Sequence, residues 1–232
     1  MAAVAERPAN AEADMLNGLA RSRLGVYGHR IHGIRPAAHH EYWIEPLQEL
    51  EQGLEERLLM LAPPGGAKST WISLTFVPWY LGNHPDHSLM FFTSSDGMAF
   101  RFGTAVKDVL ESEQHALIFP DPKCRPDMRR GWSSEMGMWL KGTPVGKDPA
   151  IVFYGWGKKS IGSRANGIVL DDVLDQDDSG SDTIMTSARA YYDMTIEPRL
   201  KSNTQQTWIA AIMTSWNERD MAHFLAGKKG FQ

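Results

Sequence analysis

Cysteine is almost absent from this chain: Cys124 is the single one. That excludes an intrachain disulfide framework and fits a reducing compartment. No apolar run approaches the roughly 20 residues of a membrane span. The opening Met1-Ala2-Ala3-Val4-Ala5-Glu6 lacks the basic and apolar pattern of a secretion signal. Internal repeats and low-complexity domains are missing. Charge of one sign is lacking too: 24 Lys and Arg against 28 Asp and Glu leave a net charge of -4. This balance neither predicts nor excludes a nucleic-acid partner, because a local basic patch can sit in an acidic total. No zinc finger, helix-turn-helix pattern or interleaved aromatic-basic stretch points to sequence-specific binding. His39 and His40 adjoin Glu41, but the spacing is not that of a metal site, and no zinc is assigned.

What is present suits a folded α/β domain of 232 residues, 42% hydrophobic and 22% charged. The 8 Trp and 12 Met read mainly as core or interface. Residues 1–10 read as disordered, 11–23 as a short helix, and the Gly-, His- and Arg-rich segment Gly25 to Pro36 as a connector. A helix is expected over Glu41–Glu55, with Tyr42, Trp43, Leu47, Leu50 and Leu54 along one side. Strands are expected at Arg57–Leu61, Ser88–Thr93, Ala150–Tyr154, Gly167–Leu170 and Thr207–Met213. Between them, helices are expected at Ser69–Leu81, kinked or ended by Pro78, and at Asp96–Glu111, burying Phe100, Ala105 and Val109. Further helices are expected at Asp182–Tyr192 and Glu218–Ala226. Residues 120–150 read as small hairpins and loops. Strands alternating with helices predict a mainly parallel sheet flanked by helices.

The densest chemical signal is Ala62-Pro63-Pro64-Gly65-Gly66-Ala67-Lys68-Ser69-Thr70, between the apolar run Leu58–Leu61 and a helix-compatible stretch. Strand, tight loop, Lys-Ser-Thr, helix is how a chain builds a phosphate cradle. The nucleotide-binding stretch is Pro64, Gly65, Gly66, Ala67, Lys68, Ser69 and Thr70. Backbone N–H groups from Gly66 through Lys68 would surround anionic oxygens, and the helix adds its positive end. Lys68 would reach the β and γ phosphates of ATP, and Ser69 would offer its hydroxyl to Mg²⁺. Ala67 stands where the usual pattern has Gly, and is strained if that position needs φ > 0. The plain alternative is a Gly/Pro turn with a solvent lysine.

Ile168-Val169-Leu170-Asp171-Asp172 is a buried strand ending in two acids. Buried acids are expensive unless paired or metal-bound. Asp171 can sit near Ser69 and hold Mg²⁺. Asp172 points differently, because side chains alternate along a strand, and is the candidate to orient or deprotonate the attacking water. The alternative is an acidic turn, and the later Asp175, Asp177 and Asp178 read as solvated loop. A third strand exit, Ile212-Met213-Thr214-Ser215-Trp216-Asn217, offers Thr214 as a sensor of the γ-phosphate. Glu218-Arg219-Asp220 then places acids at a helix start, which is favourable.

At these motifs the chain resembles the ATPase domain of a tailed-phage terminase large subunit. The matching stretches are Ala62–Thr70, Phe100–Ser112 with Phe119-Pro120, Ile161–Leu174 and Thr214–Leu225, and the similarity runs over residues 41–227. Gly162-Ser163-Arg164-Ala165-Asn166-Gly167 resembles the family's Gly-x-Arg-Ala-Asp lead-in to its acidic motif, with Asn166 replacing Asp. Thr214-Ser215-Trp216-Asn217-Glu218-Arg219-Asp220 resembles its Thr-Arg-Trp-His-x-x-Asp coupling motif, with Ser215 and Asn217 replacing Arg and His. Asp172 stands where most such motors carry Glu.

The resemblance implies a P-loop NTPase of the additional-strand-catalytic-glutamate type that hydrolyses ATP with Mg²⁺ to drive double-stranded DNA into a procapsid. The chain divides into an N-terminal extension and connector, residues 1–40, and an ATPase domain with a small C-terminal helical part, residues 41–232; the nuclease domain that the family normally carries is not expected in it. The resemblance further implies a pentameric ring of copies, a portal protein and a small terminase subunit as partners, no membrane, and the cytoplasm of an infected bacterium with transient residence on the procapsid. Tyr42 or Trp43 would stack near the adenine. Arg101 is the candidate for a trans-acting arginine finger, with Arg164 as the alternative. DNA phosphates would be gripped by residues among Lys123, Arg125, Arg129, Arg130, Lys141, Lys147, Lys158 and Lys159, the last two in a loop with Ser160 before the acidic strand. A helicase-like P-loop motor would share the phosphate and acidic motifs without needing Thr214–Asp220. A nucleotide-responsive assembly module with little turnover is the other alternative.

Overall fold

In a computed structural model the described residues are 7–133, 137–146, 148–158, 162–202 and 206–231. Three helices come first: α1 (Arg7–Ser22), α2 (Leu24–His32) and α3 (Ala38–Glu51). Strand β1 (Arg57–Leu61) leads through the Gly-rich loop into a π-helical segment, Thr70–Phe76, and α4 (Val77–Asn83). Then follow β2 (Leu89–Thr93), α5 (Asp96–Glu111), α6 (Glu113–Ile118), the short strands β3 (Trp132–Ser133) and β4 (Gly137–Met138), and β5 (Ile151–Gly155). Strand β6 (Gly167–Asp171), α7 (Gln176–Ser179), α8 (Asp182–Tyr191), β7 (Trp208–Met213) and α9 (Met221–Ala226) complete the order.

These strands form one sheet in the order β1-β7-β6-β2-β5-β4-β3. The pairings from β1 to β5 are parallel, and β4 and β3 join antiparallel at the far edge. Parallel strands need crossovers, and the crossover helices cover both faces. That is why β2, β5, β6 and β7 are buried throughout. Side chains alternate along each strand, so the sheet separates two cores. One holds Phe91, Val169, Ala210 and Ile212 against Trp71, Phe76, Trp79 and the residues Leu24, Tyr27 and Leu47 of α2 and α3. The other holds Phe92, Leu170, Ile209 and Ala211 against Met185, Tyr192 and Leu225. Among the described residues no helix is long and apolar enough to cross a membrane.

Several expectations are corrected. The first helix reaches back to Arg7, inside the stretch read as disordered, with Pro8 near its start, where a missing N–H is harmless; residues 1–6 lie outside the described set. The connector Gly25 to Pro36 is largely helix α2, because Leu24, Tyr27 and Gly28 bury against the core. A Cβ at Gly28 would lie 2.5 Å from Trp71, so the helices meet only through a glycine. Helix α3 buries His40, Ile44, Leu47 and Leu50. Tyr42 and Leu54 are exposed; Leu54 lies beyond the helix, past Gly53 at φ 75°. The helix after the loop runs on into α4 without a break, but the segment before Pro78 winds as a π-helix, and Phe76 and Val77 at the junction keep right-handed helical angles. Helix α5 keeps its expected bounds but buries Ala99, Gly103, Val106 and Leu110. The last helix starts at Met221, not Glu218, capped by Asp220.

Gly167 starts β6 where Trp208 crosses it: a Cβ there would lie 2.2 Å from the indole. Gly167→Ala should destabilise the fold by about 2–3 kcal/mol, the size of a core overpacking error, read as a lower urea midpoint at an unchanged slope.

Candidate functional site

The site lies where β1, β6 and β7 end at the same side of the sheet. After β1, the Ala62 N–H donates to the Met213 carbonyl (3.2 Å), and the chain turns at Pro63–Gly66. Gly65 takes φ 83° and Ala67 φ 59°. The expected strain is therefore present, since a Cβ at positive φ is disfavoured where glycine is free. The Trp71 N–H then bonds the Ala67 carbonyl at 3.1 Å and starts the helical segment.

Lys68 is not a solvent lysine. Its side chain turns inward and is only 8% exposed. Its ammonium lies 2.5 Å from Asp172 Oδ2 and donates to the Thr214 hydroxyl. A buried ammonium is sustained only by such partners. Ser69 Oγ donates to Asp171 Oδ1 at 3.3 Å, and Ser73 Oγ to Asp171 Oδ2 at 2.5 Å. Asp171 is 2% exposed. Burial, reinforced by the Asp172 charge, pushes its pKa up to about 6, against the hydrogen bonds of Ser73 and Ser69 and the charge of Lys68.

Asp172 differs from Asp171 for a reason other than strand alternation. β6 ends at Asp171, and Asp172 takes φ 42°, a left-handed turn that Asp tolerates better than most residues. Its N–H donates to the Ile212 carbonyl at 2.9 Å. The turn carries its carboxylate to the exit of β7, where Oδ1 accepts the Thr214 N–H at 2.6 Å and Oδ2 lies 3.4 Å from the Thr214 hydroxyl. Beyond Thr214 the loop is tied by Asp220. Its Oδ2 accepts from the amides of Trp216 (2.7 Å) and Asn217 (3.2 Å) and from Ser215 Oγ (3.3 Å); its Oδ1 accepts the His223 N–H at 2.9 Å. Burial opposes ionisation of Asp220, but the His223 and Trp216 amides outweigh it and hold the carboxyl below its usual range.

Lys68, Ser69, Asp171, Asp172 and Thr214 thus meet at one place, beneath Gly65, Gly66 and Ala67, with exposed Pro64 at the loop's rim. The Thr70 carbonyl accepts from the Thr75 hydroxyl, within the helical segment. Trp43 is half-buried beside the loop: a Cβ at Gly66 would lie 3.4 Å from its ring. Tyr42 is 81% exposed. Arg101 is exposed on α5; its guanidinium reaches Met98 Sδ at 3.9 Å and makes no ion pair among the described residues. Arg164 is exposed and meets Asp148 through its backbone N–H. Asp175 caps α7. Lys158 pairs with Asp96 at 3.5 Å, Arg129 with Asp127 at 3.1 Å, and Arg130 lies over Trp139. Lys147, Lys159, Ser160 and Ile161 lie outside the described residues. Ser73 was not expected; its place four residues after Ser69, on the same helical face, is the signal that points to it.

Among the described residues no three His, Cys, Asp or Glu side chains gather as a metal-holding group. One hydroxyl and one carboxylate, Ser69 and Asp171, are instead the small protein share usual for a magnesium ion that keeps waters and phosphate oxygens as its other ligands. Asp171, buried and making no ion pair among the described residues, fits that role. The chain matches no protein-family profile and no curated protein.

Two outcomes follow from this geometry. Ala67→Gly relieves the positive φ and should stabilise by about 1 kcal/mol, raising the thermal midpoint by roughly 2–4 °C. Asp171 holds its proton more tightly folded than unfolded, so its contribution to stability is full below about pH 4 and is lost as pH rises through about 6. Asp171→Asn should therefore flatten the fall in stability between those pH values, measured by urea unfolding at each pH.

Proposed function

We propose that this chain is a magnesium-dependent ATPase, built as a P-loop domain of the additional-strand-catalytic-glutamate type. The observation that carries this reading is the convergence of Lys68, Ser69, Asp171, Asp172 and Thr214 beneath one glycine-rich loop, from strand ends far apart in sequence. The position of β7 between β1 and β6 supports the additional-strand assignment. The motor's task, moving double-stranded DNA into a viral procapsid as a ring on a portal with a small terminase subunit, rests on the resemblance of Gly162–Asp172 and Thr214–Asp220 to terminase motifs. The tying of the second motif by Asp220 next to Thr214 supports it.

Ser69 and Asp171 would hold the magnesium ion, which when bound neutralises charge on the transferring phosphoryl group. Lys68 is the switch among this chain's own groups. Phosphate oxygens compete for its ammonium, and drawing it off Asp172 releases Oδ2 to accept a proton from the attacking water. The water oxygen bonds the γ-phosphorus as the bond to the β–γ bridging oxygen breaks. Oδ1 stays on the Thr214 amide, so the charge on Asp172 is felt at the exit of β7. One observation favours a second reading: the Asp172 carboxylate is already engaged by Lys68 and Thr214, as suits a nucleotide-binding assembly module with little turnover.

ATP hydrolysis against protein concentration, with and without double-stranded DNA, separates these. The motor reading expects turnover rising more than linearly with protein, stimulated by DNA, and lowered about a hundredfold or more in Lys68→Ala and Asp172→Asn. Magnesium-dependent binding without turnover supports the assembly module, and no nucleotide binding overturns both.

A further inference from the structure

Two hydroxyls hold Asp171, and they hold it unequally. Ser73 is fully buried within the π-helical segment, and its Oγ lies 2.5 Å from Asp171 Oδ2. That is the short, strong end of hydroxyl-to-carboxylate bonds. Ser69 Oγ lies 3.3 Å from Oδ1, longer than an ordinary O–H···O bond. A serine inside a helix often spends its one proton on a carbonyl a turn back. Ser73 donates across to the end of β6 instead, while the Thr75 hydroxyl serves the Thr70 carbonyl of the same segment at 2.7 Å. Both supports are rigid: Ser73 is flanked by the core residues Ile72 and Trp71, and Asp171 stands between Thr93 of β2 and Ile212 of β7 in the sheet. The carboxylate therefore has one committed oxygen and one loosely engaged oxygen, and the loose one faces Ser69 at the phosphate loop.

We infer that Ser73 is a positioning residue that pins Asp171 through Oδ2, leaves Oδ1 as the one oxygen open to a cation, and so favours Mg²⁺ over Ca²⁺. The inference rests on the nucleotide-binding reading above for its consequence, and on the two hydroxyl contacts alone for its geometry. Calcium takes about six to eight oxygens and often both oxygens of one carboxylate, whereas magnesium is content with few protein ligands. For calcium to use both oxygens of Asp171, the Ser73 bond must break and leave a buried hydroxyl without its acceptor, which is costly. For magnesium only the long Ser69 contact is given up, and that hydroxyl turns a lone pair outward. The terminal torsion of an aspartate is soft, so without Ser73 the carboxylate is free to turn. Selection between the two cations thus comes from a residue that touches neither.

Binding of a fluorescent ATP analogue, titrated with magnesium chloride and separately with calcium chloride, reads this as two metal midpoints. In Ser73→Ala the magnesium midpoint should rise about tenfold and the calcium midpoint should change less than about threefold, so the preference for magnesium narrows. Ser73→Thr keeps the hydroxyl and should keep the wild-type ratio of midpoints, even where its extra methyl lowers the thermal midpoint. Equal shifts of both midpoints in Ser73→Ala, a shift in neither, or loss of the ratio in folded Ser73→Thr overturns the selecting role. The contact itself is tested without ligand. Ser73→Ala should lower the thermal midpoint of the wild type but not of Asp171→Ala, where the acceptor is already gone; an equal fall in both overturns the contact. Wild-type protein that binds no nucleotide with either metal overturns the ATPase reading and the metal selection with it, and the double substitution still decides whether Ser73 pins Asp171.

Discussion

The parallel register of β7 with its two neighbours is the constraint on which the site depends. Leu61 of β1 pairs with Met213, and Asp171 of β6 pairs with Ile212. Three chain segments therefore leave the sheet on the same side, within one residue of each other in register. The loop after Leu61, the turn at Asp172 and the exit at Thr214 meet because of that alignment. A slip of one residue in β7 would send Ile212 to the wrong core and carry Thr214 away from Asp172. The register is held by burial on both faces, since Ile212 and Ala210 fill one core while Ile209, Ala211 and Met213 fill the other.

Within that frame two adjacent acids have different electrostatic surroundings. Asp171 ends the strand in the interior, where burial raises its pKa to about 6 against the hydroxyls of Ser73 and Ser69. Asp172 lies outside the strand, 38% exposed, in direct contact with the ammonium of Lys68. One carboxylate is thus suited to receive a metal and the other to exchange a partner. Lys68 belongs to the second arrangement, because its ammonium contacts Asp172 and Thr214.

Backbone strain is concentrated in the same place. Among the described residues the non-glycine positions with positive φ are Ala67 and Asp172, one in the loop and one at the acidic turn. Each would be relaxed by an ordinary extended backbone, and each is held by contacts on both sides. Trp71 bonds back to Ala67, and Asp172 is tied through its N–H to Ile212 and through its carboxylate to Thr214. Such strain persists only where the surroundings over-determine it, which is the condition a preorganised site requires.

Much of this was legible in the residues. The apolar runs marked every parallel strand to within a residue or so, because buried strands are continuous in hydrophobicity. The Pro-Gly-Gly segment before Lys68-Ser69 and the paired acids after Ile168-Val169-Leu170 named the residues that come together. Local pattern found Leu47 and Leu50 on the buried face of α3 but missed His40 there and Gly103 on α5, small or polar residues whose place in the core depends on what lies opposite. Nor could it reveal that the helix before Pro78 winds as a π-helix. The sequence by itself determined the parallel strands, the loop and the acids, since those follow from composition and spacing along the chain. Only the tertiary structure decided that Lys68 turns in to Asp172, that Asp171 is the buried acid, and that His40 packs against Trp71, because each depends on distances between segments that the chain order leaves open.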